Sequence, residues 1–267
     1  MTRVMGILNT TPDSFSDGGL WADLARAVDH ALAMVEAGAD FIDVGGESTR
    51  PGARPVGVQE EMDRVLPVVE ALAARTAVTI SVDTSKPEVM RAAVTAGAGL
   101  INDVFALRAE GALEAAAGLG VPVCLMHMQG RPRDMQVEPK YDDVVSEVRA
   151  FLLERARACE AAGIPREGIL IDPGFGFGKT LGHNLALFRA LGEFCRGEYA
   201  VLVGVSRKSM LGALSGRPVA DRLVSSVTAA VLAARHGAAV VRVHDVAETV
   251  EALRVMQALE TGTPPSG

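Results

Sequence analysis

The sequence predicts an α/β protein closed as a single (β/α)8 barrel, and three observations predict it. Short aliphatic runs alternate with longer helix-like stretches eight times along 267 residues. Several helix-like stretches end in a glycine that leads straight into the next aliphatic run, as at Gly38, Gly97, Gly120, Gly163 and Gly237, which suits a left-handed C-cap. Polar, glycine-rich segments follow nearly every strand, and in this architecture that rim is where sites are built. A doubly wound open sheet uses the same alternation but concentrates its polar loops at one switch point. Their spread around nearly every strand favours a ring.

The first unit is a strand at residues 4–8 and a helix at 22–37; the second is 41–44 with 58–74, the third 78–82 with 87–96, and the fourth 100–102 with 109–119. A strand at 121–126 precedes a long helix over 142–162. Three aliphatic residues at 169–171 precede a helix at 184–191, residues 200–203 precede 219–236, and 239–243 precede 247–259. No linker rich in Ser, Gly or Pro divides the chain, so residues 1–267 are expected to form one domain.

The formal charge of −7 argues against a nucleic-acid partner, because phosphate backbones are bound by basic faces and none is visible. Cys124, Cys159 and Cys195 lack CxxC spacing, so neither a disulfide framework nor a zinc site is expected. No apolar run approaches the ~20 residues of a membrane span, and no basic-plus-apolar leader opens the chain. A cytoplasmic protein with no membrane association is the expectation. Lysine is confined to Lys86, Lys140, Lys179 and Lys208, and three of these, Lys86, Lys179 and Lys208, fall in the loops singled out below.

The segment Ile169-Leu170-Ile171-Asp172-Pro173-Gly174-Phe175-Gly176-Phe177-Gly178-Lys179 places a carboxylate at the end of a buried strand, then a loop that is both apolar and basic. Asp83 and Asn102 close strands three and four in the same way, so a barrel would turn all three into one central well. Such a set suits a heterocycle with adjacent N–H and C=O groups. Asp83 also has the position of an N-cap for the helix after Thr84-Ser85-Lys86-Pro87. Asn9 ends strand one with a carboxamide oxygen of the kind magnesium accepts, and the loop after it, residues 9–19, reads as a lid or as an Asx-turn with a cap.

A second glycine-rich lid, Gly45-Gly46-Glu47-Ser48-Thr49-Arg50-Pro51-Gly52, offers a hydroxyl and a guanidinium but lacks P-loop spacing. Ser206-Arg207-Lys208-Ser209-Met210 looks like a helix start after strand seven. Alternation puts Arg242 and His244 on one side of strand eight, where two basic groups call for an anionic partner. His127 reads as a packed, hydrogen-bonded histidine.

These motifs together resemble the dihydropteroate synthase family. The resemblance runs from about Val4 to Thr249 through residues 5–19, 46–52, 81–87, 101–104, 125–130, 172–180, 206–210 and 242–246. It implies a TIM barrel, a homodimer, Mg2+, and two small-molecule substrates, 6-hydroxymethyl-7,8-dihydropterin diphosphate and p-aminobenzoate. Residue by residue, it implies a pterin pocket of Asp83, Asn102, Met126, Asp172 and Lys208, and a diphosphate site of Thr49, Arg50, Arg242 and His244. It further implies a p-aminobenzoate site of Phe15, Pro51, Phe177 and Ser209, with Asn9 as the metal ligand. Asp172, Lys208, Arg242 and His244 are the expected catalytic residues, while Asp17 and Glu47 fit either ligands or lid struts. A related barrel, the methyltetrahydrofolate-binding methyltransferase domain, needs no diphosphate site, and a non-catalytic pterin-binding relative is the other alternative. In the helix before strand eight, Val224-Ser225-Ser226 replaces the glycine-serine pair usual in the family.

Overall fold

Eight short strands, each with one side chain in two turned inward, close on themselves in the computed structural model, which describes residues 2–10, 19–49 and 52–263. The strands are β1 (Arg3–Asn9), β2 (Phe41–Gly45), β3 (Thr79–Asp83), β4 (Leu100–Asp103), β5 (Val123–Met126), β6 (Ile169–Asp172), β7 (Ala200–Val203) and β8 (Val240–Val243). All neighbours are parallel, in sequence order, and β8 returns to β1 with Met5 opposite Arg242. The expected (β/α)8 barrel is what forms.

Helices α1 (Gly19–Glu36), α2 (Val58–Ala73), α3 (Pro87–Thr95), α4 (Ala112–Leu119), α5 (Val144–Ala161) and α6 (Leu181–Arg189) follow the first six strands. α7 (Leu191–Cys195) extends the sixth crossover, α8 (Ser209–Ser215) and α9 (Leu223–Arg235) follow β7, and α10 (Val246–Thr261) follows β8. The largest apolar cluster lies between barrel and helices, with Leu72, Met90, Leu152 and Phe175 essentially inaccessible. Gly38, Gly97, Gly120, Gly163 and Gly237 all have positive φ, as their place after helices requires.

Among the helix starts that differ from the sequence expectation, three have a clear local reason. α6 begins before residue 184 because Thr180 and His183 form a reciprocal cap: the Thr180 hydroxyl accepts from His183 N at 3.2 Å, and His183 Nδ1 accepts from Thr180 N at 3.3 Å. α5 begins at Val144 because Asp143 caps it, accepting from Val145 N and Ser146 N. The stretch expected as one helix over 219–236 opens with a single 3-10 turn at Val219–Asp221 after Pro218, and α9 proper starts at Leu223.

Inside the barrel the alternation sorts side chains into layers. Met5, Phe41, Leu100, Cys124, Leu170, Leu202 and Val240 form an apolar floor. Two residues further along the same strands, that inward direction carries Asp43, Asn102, Met126, Asp172 and Arg242. The strands therefore change from an apolar plug to a polar mouth within one repeat of the pleat.

The loop from β6 to α6 is pressed onto the loop after β5. A methyl group on Gly174 (φ +69°) would lie 1.9 Å from the His127 carbonyl oxygen, and one on Gly178 would lie 2.4 Å from that of Gln129. Gly176 has φ +80° but its nearest such contact is 3.4 Å. Gly176→Ala is expected to cost ~1–2 kcal/mol, for backbone strain alone. Gly174→Ala adds a clash with rigid backbone and should lower the melting temperature by a clearly larger amount; equal losses in thermal unfolding would show that the contact relaxes freely.

Candidate active site

The mouth of the barrel is organised by Arg242. It sits on β8, one residue before the strand ends, and its side chain crosses toward β2 and β3. Nε donates to Asp43 Oδ2 at 2.6 Å and Nη2 to Asp83 Oδ2 at 3.1 Å. Asn102 Nδ2 also donates to Asp43 Oδ2, at 3.1 Å. Asp43 is completely buried, so its charge depends on these donors. The anionic partner that the sequence demanded for Arg242 is therefore, in part, the protein itself.

Asp83 is not an N-cap. The capping position of α3 belongs to Lys86, followed by Pro87, and the Asp83 carboxylate faces Arg242 instead. Burial pushes Asp83 up to about 7, and neighbouring Asp43 adds to this while Arg242 opposes it. Arg242 itself is raised: burial works against its charge, but Asp43 and Asp83 outweigh it.

Asp172 ends β6, opposite Met126 in register. Burial raises its carboxyl above the usual range, against the pull of Lys208, of Lys179 and of the Gly174 N–H, which donates to Oδ1 at 2.7 Å. The Lys208 ammonium donates to the Phe175 carbonyl at 2.5 Å and stands 4.5 Å from the centroid of the Phe177 ring. Burial lowers Lys208 to about 8, with Asp172 acting in the opposite direction. Gly45 and Gly204 bring no side chain to the mouth, which leaves room between Asp83, Asp172 and Arg242.

Arg207, with φ +56°, is held in its turn by Ser226 Oγ, which accepts its N–H at 2.9 Å, and by Arg222, whose guanidinium donates to the carbonyls of Arg207 and Lys208. Ser226 belongs to the altered Val224-Ser225-Ser226 segment, and its hydroxyl supplies this support. His244 lies just past β8, its Nδ1 3.0 Å from Ser206 Oγ and its N–H donating to the same oxygen at 3.2 Å.

The structure thus brings together Asp83, Asn102, Met126, Asp172, Lys208 and Arg242, with His244 beyond the end of β8. Asn9 ends β1 beside Gly45, whose other neighbour in register is Asp83. Thr49 and Phe177 are half-buried on their loops, and Ser209 is exposed at the start of α8. Phe15, Asp17, Arg50 and Pro51 lie outside the described residues. Glu47 is a strut: it forms an ion pair with Lys86, which also pairs with buried Glu61, and it accepts from Val56 N at 3.3 Å. His127 is packed, as expected, edge-on to Phe151 and bonded to Lys179.

Sequence reasoning missed Asp43 and the structural use of Ser206. Asp43 carried a usable signal, since a lone carboxylate within an otherwise apolar strand, two residues after an inward phenylalanine, must also point inward. The seat of Lys208 on the Phe175 carbonyl had no signal in the side chains, because the acceptor is backbone.

Comparison with known proteins gives this mouth its context. The model of the pterin binding enzyme family matches residues 5–244, and the chain belongs to that family. Its similarity is more specific than that. The chain is 59% identical over 256 residues to the dihydropteroate synthase of Escherichia coli strain K12, covering 96% of this chain and 91% of the relative. It superposes on the crystal structure of the Yersinia pestis dihydropteroate synthase in complex with a sulfonamide drug with a TM-score of 0.93 and 55% identity, covering 97% and 94% of the two chains. A Xanthomonas albilineans dihydropteroate synthase with 4-aminobenzoic acid gives 0.92 and 57%, covering 97% and 93%. The activity is that of a dihydropteroate synthase, a transferase of folate synthesis, rather than that of a methyltransferase domain.

Because burial raises the Asp83 carboxyl to about 7 against the pull of Arg242, it is expected to carry a proton below that pH in the free protein. A pterin whose N–H groups donate to it binds the ionised form, so binding must expel the proton and affinity falls as pH drops through 7. Calorimetry of a diphosphate-free pterin at pH 6, in buffers of different ionisation heat, should show proton release that disappears in Asp83→Asn. Binding without release would mean that Arg242 already keeps the carboxylate ionised.

Proposed function

We propose that the polar mouth joins 6-hydroxymethyl-7,8-dihydropterin diphosphate to p-aminobenzoate, giving 7,8-dihydropteroate and diphosphate, with residues 1–267 acting as one pterin-binding unit. The convergence of Asp83, Asn102 and Asp172 above an apolar floor carries this reading. Carboxylates accept from ring N–H and amino groups, Asn102 donates and accepts, and Met126 supplies an apolar wall. Lys208 lies beside this set and offers a donor to a ring acceptor.

The reaction breaks the CH2–O bond with its electron pair leaving on diphosphate, and the aniline nitrogen lone pair forms the new C–N bond. The proton shed by nitrogen passes to solvent, and the neutral amine needs no general base. Negative charge grows on the leaving group, so cationic and N–H donors facing it lower the barrier. Arg242 commits two of its five N–H donors to Asp43 and Asp83, and the others are available to an anionic oxygen. His244, oriented by Ser206, and Thr49 complete the described part of the diphosphate site. The positive charge that develops on the pterin faces the Asp172 carboxylate.

The donor set suits magnesium brought in by the substrate better than a resident ion. Among the described residues no three His, Cys, Asp or Glu side chains cluster to hold a metal. Magnesium needs only one or two protein oxygens when phosphates supply the rest, and Asn9 at the end of β1 would hold it. When bound, Mg2+ neutralises charge on the leaving diphosphate. We assign Phe177 and Ser209 to the contact with p-aminobenzoate, and the Xanthomonas albilineans relative solved with 4-aminobenzoic acid supports that substrate.

Among the described residues no helix is long and apolar enough to cross a membrane, and we place the enzyme in the cytoplasm. We also place it in a homodimer. Leu214, Val219, Leu223, Val224 and Leu232 are exposed on α8, the 3-10 turn and α9, and Val224 is 77% exposed. Such an apolar face is suited to a second copy. Val224→Asp should convert the dimer to monomer in sedimentation velocity, whereas a monomeric parent protein would remove the assignment.

Diphosphate release, followed by a coupled assay with both substrates and magnesium, tests the reaction directly. Asp172→Asn keeps shape but not charge, and is expected to lower kcat/KM by ~2–4 kcal/mol of transition-state stabilisation, roughly 30- to 1,000-fold. An unchanged value would take Asp172 out of the site.

A further inference from the structure

Lys179 has no part in the chemistry above, yet its side chain is among the most deeply placed charges in the protein, 3% exposed at the end of the loop from β6 to α6. The side chain turns back beneath that loop. Nζ donates to the carbonyl oxygens of Gly174 at 2.9 Å and Phe177 at 3.0 Å, lies 3.3 Å from that of His127, and is 2.9 Å from His127 Nδ1. Burial lowers Lys179 to about 7, with Asp172 acting in the opposite direction; in its ammonium form it has three donors, and dipoles rather than a carboxylate receive them here. His127 takes part as a neutral acceptor, since burial and the nearby Lys179 hold it down to about 3. Opposite a charged lysine the Nδ1 lone pair is the acceptor and the ring proton belongs on Nε2.

What hangs from those carbonyls gives the lysine a use. Residues 174–177 form a turn closed by Phe177 N donating to Gly174 O at 3.1 Å, and Lys179 binds the carbonyls at both ends of it. Within this arch the Gly174 N–H holds Asp172, the Phe175 carbonyl receives Lys208, and the Phe177 ring lies against the Lys208 ammonium. The two flanks of the arch are held separately. Gln136 donates to Gly176 O, Tyr141 to Gly178 O at 2.8 Å, and Asn184 Oδ1 accepts from Gly176 N at 2.8 Å. Among the described residues, Lys179 is the side chain that bonds to the carbonyls at both ends of the arch.

The consequences for the two substrates differ. Asp172 belongs to β6, and pairing with β5 fixes its backbone whatever the arch does. Phe177 belongs to no strand or helix, so its ring position depends on the arch. We infer that Lys179 is a positioning residue for the p-aminobenzoate half of the reaction, acting through Phe177 by fixing the arch from beneath. This rests on the reading of Phe177 as a wall of the p-aminobenzoate site.

The test is a double-mutant cycle on the full-length enzyme with Lys179→Met, Phe177→Ala and the pair, measuring KM for each substrate and kcat. Lys179→Met keeps most of the stem and removes the donors. It should raise KM for p-aminobenzoate about tenfold, equivalent to ~1.4 kcal/mol, while KM for the pterin diphosphate moves less than about threefold. The pair should be no worse for p-aminobenzoate than Phe177→Ala alone, because one change acts through the other. Lys179→Gln, which restores two N–H donors, should recover part of the loss, and it serves in place of the methionine variant if that one does not fold.

Full additivity, or an equal rise in both KM values, would overturn the inference and leave Lys179 as a general support of the barrel mouth. If Phe177→Ala shifts p-aminobenzoate KM and neither Lys179 variant does, the inference fails while the site reading stands. If Phe177→Ala leaves that KM unchanged, both fail together.

Discussion

Arg242 meets two carboxylates at once, Asp43 and Asp83, and the rest of the polar layer inside the barrel is arranged around that contact. Asp43 is wholly buried between an apolar floor and its donors, so it cannot persist as an unpaired charge. Removing one member of a buried pair typically costs ~3–5 kcal/mol, because the charge left behind stays desolvated. The guanidinium therefore ties β8 to β2 and β3 across β1, and Asn102 joins the same oxygen from β4. Four of the eight strands are cross-linked at the level where a ligand would enter. The same contact divides the guanidinium between the fold and an incoming anion, since it holds orientation with two donors and leaves others free to bind.

On the opposite side, charge is held by a different device. Asp172 and Lys208 attract one another, but the structure fixes each mainly through the backbone of the loop after β6. That loop is rich in glycine because it lies against the loop after β5 at distances no side chain would permit, as at Gly174 and Gly178. Dense contact between two loops makes a platform stiff enough to carry a lysine at its ordinary donor geometry. The barrel mouth is thus half salt bridge and half backbone dipole, and both halves rest on strands whose inward slots switch from apolar to polar within two residues.

Burial moves the titrations of this layer in a common direction, toward the neutral forms of Asp83, Asp172 and Lys208. Ion pairing with Arg242 and with one another acts against that shift. A ligand that supplies N–H donors to the carboxylates and an acceptor to the lysine works in the same sense as the pairing, and so favours the charged forms.

The eightfold alternation, the glycine caps and the polar ends of the strands determined the barrel and the rim by themselves, because period and chain reversal are local properties of the sequence. The strand-end residues Asp83, Asn102 and Asp172 were legible for the same reason: alternation fixes the face of each once the strand is placed. The pairing of Arg242 with Asp43, 199 positions apart in the chain, was not, nor was the replacement of Asp83 by Lys86 at the cap of α3. Whether a carboxylate caps its own helix or pairs with a distant guanidinium depends on which partner ring closure brings within ~3 Å, and local propensity favours the cap. The seat of Lys208 on a backbone carbonyl, and the turn of Lys179 beneath its own loop, likewise depend on how two loops from neighbouring strands pack. Side-chain identity names the charged groups, but the distances that decide their partners exist only after the barrel has closed.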